Sequence, residues 1–187
     1  PPRSTLFPYT TLFRSNKAKL LSETDELTGL YNMRGFAILA DRSFGQALRY
    51  ERPATVLMID SDNLKTVNDT LGHEAGNELL RQLAQSIQGE LRYTDISARY
   101  GGDEFIVLLP ETPLKGALDV ADRIRRKIVD APLSLRGARV ESSVSIGVAG
   151  FPSDGRNLDS IVAQADRAMY QAKQQGKNSI VAATRPG

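Results

Sequence analysis

RYGGDEFIVLLP, residues 99–110, sets two adjacent carboxylates, Asp103 and Glu104, after a pair of glycines and ahead of an apolar run. Gly101 and Gly102 permit positive φ and close backbone approach, so the spacing predicts a tight hairpin turn here. Phe105-Ile106-Val107-Leu108-Leu109 reads as a buried strand stopped by Pro110. Paired acids on a rigid turn are suited to holding a divalent cation against a nucleotide phosphate. Read alone, the same residues make an ordinary hairpin with solvated acids, so the surroundings decide.

Upstream, Val56-Leu57-Met58-Ile59 is a continuous apolar run that ends at Asp60, the pattern of a central strand covered on both faces. Apolar residues from Met33 to about Arg49 recur at helical spacing, as they do from His73 to Leu91, over 114–130 and from Leu158 to Gln175. Gly176 is a natural C-terminal stop for the last of these helices. In Val144-Ser145-Ile146-Gly147-Val148-Ala149 the large residues share one face, and the small face predicts close approach of a helix or a ligand. The order of elements is helix, strand, helix, strand–turn–strand, helix, strand, helix, short strand. It predicts an α+β fold with a central, mostly antiparallel sheet flanked by helices.

LFPYTTLFRS at 6–15 has no helical or strand period and resembles the conceptual translation of a sequencing-adapter oligonucleotide. Residues 1–15 are therefore set aside as non-native or disordered. Residues 16–24 are expected to end a signalling helix or linker from an upstream sensor region, 25–183 to form the domain, and 184–187 a tail. Removing Arg3 and Arg14 from the 24 basic residues leaves them level with the 22 acidic ones, which argues against a nucleic-acid-binding surface. The chain has no cysteine, excluding disulfides, thiolate zinc sites and cysteine nucleophiles. Its apolar runs are too short to cross a bilayer. The expectation is a soluble cytoplasmic domain, with any membrane anchor lying upstream.

Five segments occur together in order: DELTGLYN at 25–32, MIDSDNLKTVNDTLGHEAGN at 58–77, RYGGDEF, SVSIGVA at 143–149 and ADRAMYQAKQQGKN at 165–178. In sequence and spacing they resemble GGDEF-domain diguanylate cyclases over about Asp25 to Val181. The resemblance implies a nucleotidyl-cyclase or polymerase-palm-like fold with a ferredoxin-like core. It also implies condensation of two GTP into cyclic di-GMP with release of pyrophosphate, on a two-fold homodimer with product feedback. By this resemblance Asp60, the Ser61 carbonyl and Asp103 hold Mg²⁺ or Mn²⁺. Asp103 is also a candidate base, and Glu104 is a further ligand or helper. Asn68 and Asn77 correspond to guanine-reading positions. Asn77 stands where the family more usually has Asp, keeping the acceptor oxygen and losing its charge. Asn63, Leu64, Lys65, Lys173 and Lys177 correspond to positions near the phosphates, with Lys173 and Lys177 read as one helical turn apart. Asn63 and Leu64 replace the aromatic residues common there. Arg92 and Asp95 of RYTD, with Arg123, match an inhibitory product site.

Several of these residues have plain structural alternatives. Asp60 is equally placed to cap a helix over 62–71, Asn68 and Asn77 to cap helix starts, and Arg92 with Asp95 to form an exposed ion pair. The single histidine, His73, reads as structural, because no second imidazole exists for a metal site. The alternative function is a catalytically inactive GTP- or cyclic di-GMP-binding regulatory module of the same fold. Retention of Asp60, Asp103 and Glu104 favours the enzyme.

Overall fold

The computed structural model describes residues 22–135 and 138–184. The expectations for 1–15, for a helix through 16–21 and for the last three residues lie outside them. Ser22–Thr24 are not helical, contrary to expectation. Asn32 holds them extended, donating its amide to the Ser22 and Thr24 carbonyls and its backbone N–H to that of Glu23, and Thr24 bridges to Tyr31.

Helix α1 spans Met33–Tyr50 and starts at Asn32, whose side chain accepts from the Gly35 N–H. Strand β1 is Ala54–Ser61. Helices α2, Leu64–Leu71, and α3, His73–Gln88, meet at Gly72, whose φ of 88° lets one residue end the first and start the second. Strands β2, Ile96–Arg99, and β3, Glu104–Pro110, flank the paired-acid turn. Helix α4 is Leu114–Asp130. A small hairpin follows, β4 Leu133–Leu135 and β5 Ala138–Val140, which sequence reading did not anticipate. Strand β6 is Val144–Phe151, helix α5 Leu158–Gln174 and strand β7 Ile180–Ala182. Asn157 and Ser160 close a reciprocal capping box at the start of α5.

The five-stranded sheet runs β2-β3-β1-β6-β7, antiparallel except for the β6–β7 pair. All eight residues of β1 are buried, as a central strand requires. Alternate side chains feed two cores. Leu57, Ile59, Phe105 and Val107 pack with α3 and α4, whereas Val56, Met58, Ile106 and Leu108 pack with α1 and α5. The small face of β6 serves a helix. A Cβ on Gly147 would lie 1.9 Å from the Ala165 carbonyl oxygen and 2.2 Å from the Met169 nitrogen, so α5 rests directly on the strand. Among the described residues, no helix is long and apolar enough to cross a membrane.

Candidate active site

Register brings the acids together. β1 and β3 pair Asp60 with Glu104, and the Ser61 N–H donates to the Asp103 carbonyl at 3.2 Å. Because side chains alternate, Asp60 continues the Val56–Met58 face toward α5, and Glu104 continues the Ile106–Leu108 face beside it. Asp103, one residue earlier, belongs to the opposite face, toward α2 and α3. The acids therefore straddle the end of the sheet.

Asp60 is 4% exposed, and its Oδ1 lies 2.6 Å from the Lys173 ammonium. Burial pushes this carboxyl up, Lys173 pulls it down, and Asp103 and Glu104 push it up again, to about 6 on balance. Glu104 is also raised, by burial first and then by Asp166 and Asp103. Several acids thus crowd one point opposite the partly exposed Lys173. Asp60 is not a helix cap: it lies within β1, and the residue at the start of α2 is Asn63, which makes no capping hydrogen bond.

The turn is held differently from the expectation. Neither Gly101 nor Gly102 has positive φ. The Arg99 guanidinium grips the turn instead, donating to the Gly101 carbonyl at 3.1 Å and the Gly102 carbonyl at 2.7 Å. Arg99 also meets Asp25 at 3.4 Å. Burial pushes the Asp25 carboxyl up, but hydrogen bonds from Thr28 and the Arg99 charge hold it below its ordinary value on balance. No role was expected of Asp25, Arg99 or Asp166, the last of which faces Glu104. His73, expected to be structural, is instead exposed at the site's rim.

A cavity of about 430 Å³ opens beside Asp103, lined by Lys65, Asn68, His73, Asn77, Arg99 and Gly102 among others. Asn68 lies within α2 and Asn77 within α3, so neither caps a helix start. Gly76 leaves room for Asn68, since a Cβ there would fall 1.8 Å from its side-chain oxygen. Leu64 lines the same cavity, and Asn63 donates its amide to the Glu141 carbonyl at 2.5 Å. A second cavity of about 460 Å³ lies on the α5 side, touching Asp60, Glu104, Asp166, Tyr170 and Lys173. The first is bordered by Asp103 and the second by Asp60 and Glu104.

Lys173 and Lys177 are not one turn apart on a helix. Helix α5 ends at Gln174, Gly176 takes φ 113°, and Lys177 follows with φ 64° in the turn beyond. Its ammonium donates to the Asp62 carbonyl at 3.1 Å. Arg92 and Asp95 border a separate cavity of about 400 Å³ with Tyr31, Tyr93 and Ser97, and Asp95 accepts from the Arg92 N–H at 2.7 Å. They form no side-chain ion pair with each other; Arg123, on α4, ion-pairs with Glu90 at 3.2 Å.

The donor chemistry fits a hard divalent cation. The Asp103 and Glu104 charges both act on the buried Asp60, and Ser61 Oγ and Asn63 Oδ1 are buried with no hydrogen-bond partner among the described residues. Among those residues no three His, Cys, Asp or Glu side chains form a ready-made metal cage.

Comparison with known proteins places these features in context. A family model described as diguanylate cyclase, GGDEF domain, matches residues 22–179. The response regulator PleD of Caulobacter vibrioides is 37% identical over 177 residues, 92% of this chain and 39% of that protein. The diguanylate cyclase DgcM of Escherichia coli is 38% identical over 159 residues, 85% of this chain and 38% of that protein. The chain thus spans about two fifths of the length of these relatives. Among solved structures, the GGDEF domain of DgcB from Caulobacter crescentus, in complex with c-di-GMP, matches with a TM-score of 0.81. It is 30% identical, over 87% of this chain and 96% of that one.

Proposed function

The chain belongs to the GGDEF-domain diguanylate cyclase family, and on that premise we propose that residues 25–183 condense two molecules of GTP into cyclic di-GMP, releasing pyrophosphate. The observation that carries this reading is the meeting of Asp60, Asp103 and Glu104 at paired strand ends beside a nucleotide-sized cavity. Asn68 and Asn77 face guanine with amide oxygens suited to accept from its N1–H and exocyclic amine. Asn63, Leu64, Lys65, Lys173 and Lys177 hold the phosphates. Asp60, Asp103 and the Ser61 carbonyl would hold Mg²⁺ or Mn²⁺, which when bound supplies positive charge against the phosphates.

The reaction joins a ribose 3′-oxygen to an α-phosphorus while the bond to pyrophosphate breaks. Its proton must leave to an acceptor near the turn, and Asp103 and Glu104 are the candidates. Lys173 meets Asp60 from α5, so its charge lies where the leaving pyrophosphate gathers negative charge. One chain binds one GTP, so the reaction requires a two-fold homodimer with the sites opposed. The Arg92–Asp95 cavity is the proposed product site, through which cyclic di-GMP feeds back. Retention of all three acids supports catalysis over the alternative, a regulatory module that binds GTP or cyclic di-GMP without turnover.

Incubation with GTP and Mg²⁺, followed by chromatography of the products, tests the reading. Cyclic di-GMP and pyrophosphate are expected from the parent protein and neither from Asp103→Ala. Equal product from both would overturn the assignment, and GTP binding without product from the parent would favour the regulatory module.

A further inference from the structure

Asp62, two residues beyond the strand-end acid, has no part in the chemistry above, yet its carboxylate accepts three hydrogen bonds. Its Oδ1 accepts from the Ser145 hydroxyl at 2.6 Å. Its Oδ2 accepts from the Ser143 hydroxyl at 2.6 Å and from the Asn178 backbone N–H at 2.9 Å. Its own N–H donates to the Ser143 carbonyl, and its own carbonyl receives the Lys177 ammonium at 3.1 Å. One side chain thus ties three segments together: the loop leaving β1, the start of β6, and the turn between α5 and β7.

That turn needs holding. Gly176, Lys177 and Asn178 take three successive positive φ values, 113°, 64° and 44°. Such a run is disfavoured for lysine and tolerated by asparagine. Two contacts keep it in place at Asn178: Asp62 on its N–H and the Arg125 guanidinium on its side-chain oxygen at 2.9 Å. The turn's product is the location of Lys177, whose ammonium rests on the loop joining the β1 acids to α2.

We propose that Asp62 is a positioning residue that clasps the α5–β7 turn to the β1–α2 loop and thereby sets the Lys177 ammonium over the polyphosphate of the bound nucleotide. The inference rests on the cyclase reading for what occupies the site, and on this chain's own hydrogen bonds for the clasp. Three donors converge on two anionic oxygens, an arrangement that charge-assisted bonds stabilise and that alanine abolishes. Loss of the clasp frees the turn and its lysine. Recognition of the β- and γ-phosphates then weakens while the guanine side, built on α2 and α3, stays as it was.

The test is calorimetric binding of GTP and of GMP to the whole chain, for the parent, Asp62→Ala, Asp62→Asn, Lys177→Met and the Asp62→Ala/Lys177→Met pair. Asp62→Ala is expected to weaken GTP binding about tenfold, the size of one lost charge-assisted contact, and to leave GMP binding within about twofold. Asp62→Asn keeps the acceptor and loses the charge, so it should fall between. Once Lys177 is methionine, removing Asp62 should weaken GTP little further. If Asp62→Ala does not fold, Asp62→Asn and Ser143→Ala carry the same comparison at about two- to threefold. Equal weakening of GTP and GMP, or additive losses in the pair, would make Asp62 merely structural and overturn the proposal. Selective loss of GTP binding in a protein that makes no cyclic di-GMP would uphold the clasp and refute the cyclase reading. A parent that binds no GTP overturns both.

Discussion

Asp60→Asn is expected to stabilise the cation-free protein while ending its catalysis, by an amount that grows with pH. The Asp60 carboxyl is 4% exposed, and burial, against the pull of Lys173 and with the push of Asp103 and Glu104, raises it from 3.8 to about 6. A carboxyl raised in the folded state favours folding while protonated. That contribution is complete below the unfolded value and is lost as pH rises through about 6. At ~1.4 kcal/mol per tenfold change, ionised Asp60 costs about 3 kcal/mol at about pH 8 and roughly half of that at about pH 5. The pull of Lys173 is already contained in that raised value, so losing this partner subtracts nothing more. The net expectation is a gain of about 3 kcal/mol near pH 8, shrinking to roughly half of that near pH 5. Urea unfolding of both proteins in EDTA across that range measures the difference directly, with product chromatography as the activity readout. A variant less stable than the parent near pH 8, or a difference that does not change with pH, would refute the reasoning. The pattern, a stabilised and inactive variant, is what a site that concentrates buried charge for chemistry should give.

Three other outcomes follow from the geometry. Cyclic di-GMP should inhibit the parent noncompetitively with GTP, and Arg92→Ala should relieve that inhibition with unligated turnover retained; equal inhibition of both would move the product site elsewhere. Gly147→Ala should cost about 3 kcal/mol or more in urea unfolding, because the added methyl meets helix backbone 1.9 Å away, and a loss under about 1 kcal/mol would count against that packing. Turnover should rise faster than linearly with protein concentration, and a parallel leucine zipper fused ahead of the domain should remove that dependence by raising the local partner concentration to about millimolar. A linear dependence unchanged by the zipper would count against assembly from dilute monomers as a limit on rate.

Most of the scaffold was legible because it rests on local periodicity. The helix over 114–130 has the expected bounds, and α1 and α5 differ from expectation by a single residue at one end. The helix from His73 stops at Gln88 rather than Leu91, since Gly89 follows as its cap. The β4–β5 hairpin escaped notice because its strands have three residues each, too few for a period to register. The Lys173–Lys177 spacing misled for a different reason. An i, i+4 relation holds only while the helix continues, and Gly176 with φ 113° has already ended it. The resulting turn places Lys177 on the Asp62 carbonyl, a contact between residues far apart in the chain that no local pattern announces.

The site was legible as a set of residues but not as an arrangement, and the reason lies in strand register. Asp103 and Glu104 are neighbours in sequence, yet strand alternation sends Glu104 toward Asp60, Lys173 and Asp166, and Asp103 toward Asn68 and Asn77. A slip of one residue between β1 and β3 would exchange their faces while leaving the motif intact. What fixes the register is remote from the motif: seven Cα pairs from Ala54–Pro110 to Asp60–Glu104, with Phe105 committed to one core and Ile106 to the other. The turn conformation depends likewise on Arg99 and Asp25, one at the end of β2 and one ahead of α1. Two glycines made the turn sterically permissible, and neither adopts the backbone that glycine alone favours. A guanidinium donating to two turn carbonyls sets its shape instead. The acids of this site are therefore placed by the cores on both sides of the sheet and by one buried-edge ion pair, so substitutions at Phe105, Ile106 or Asp25 bear on the chemistry through position alone.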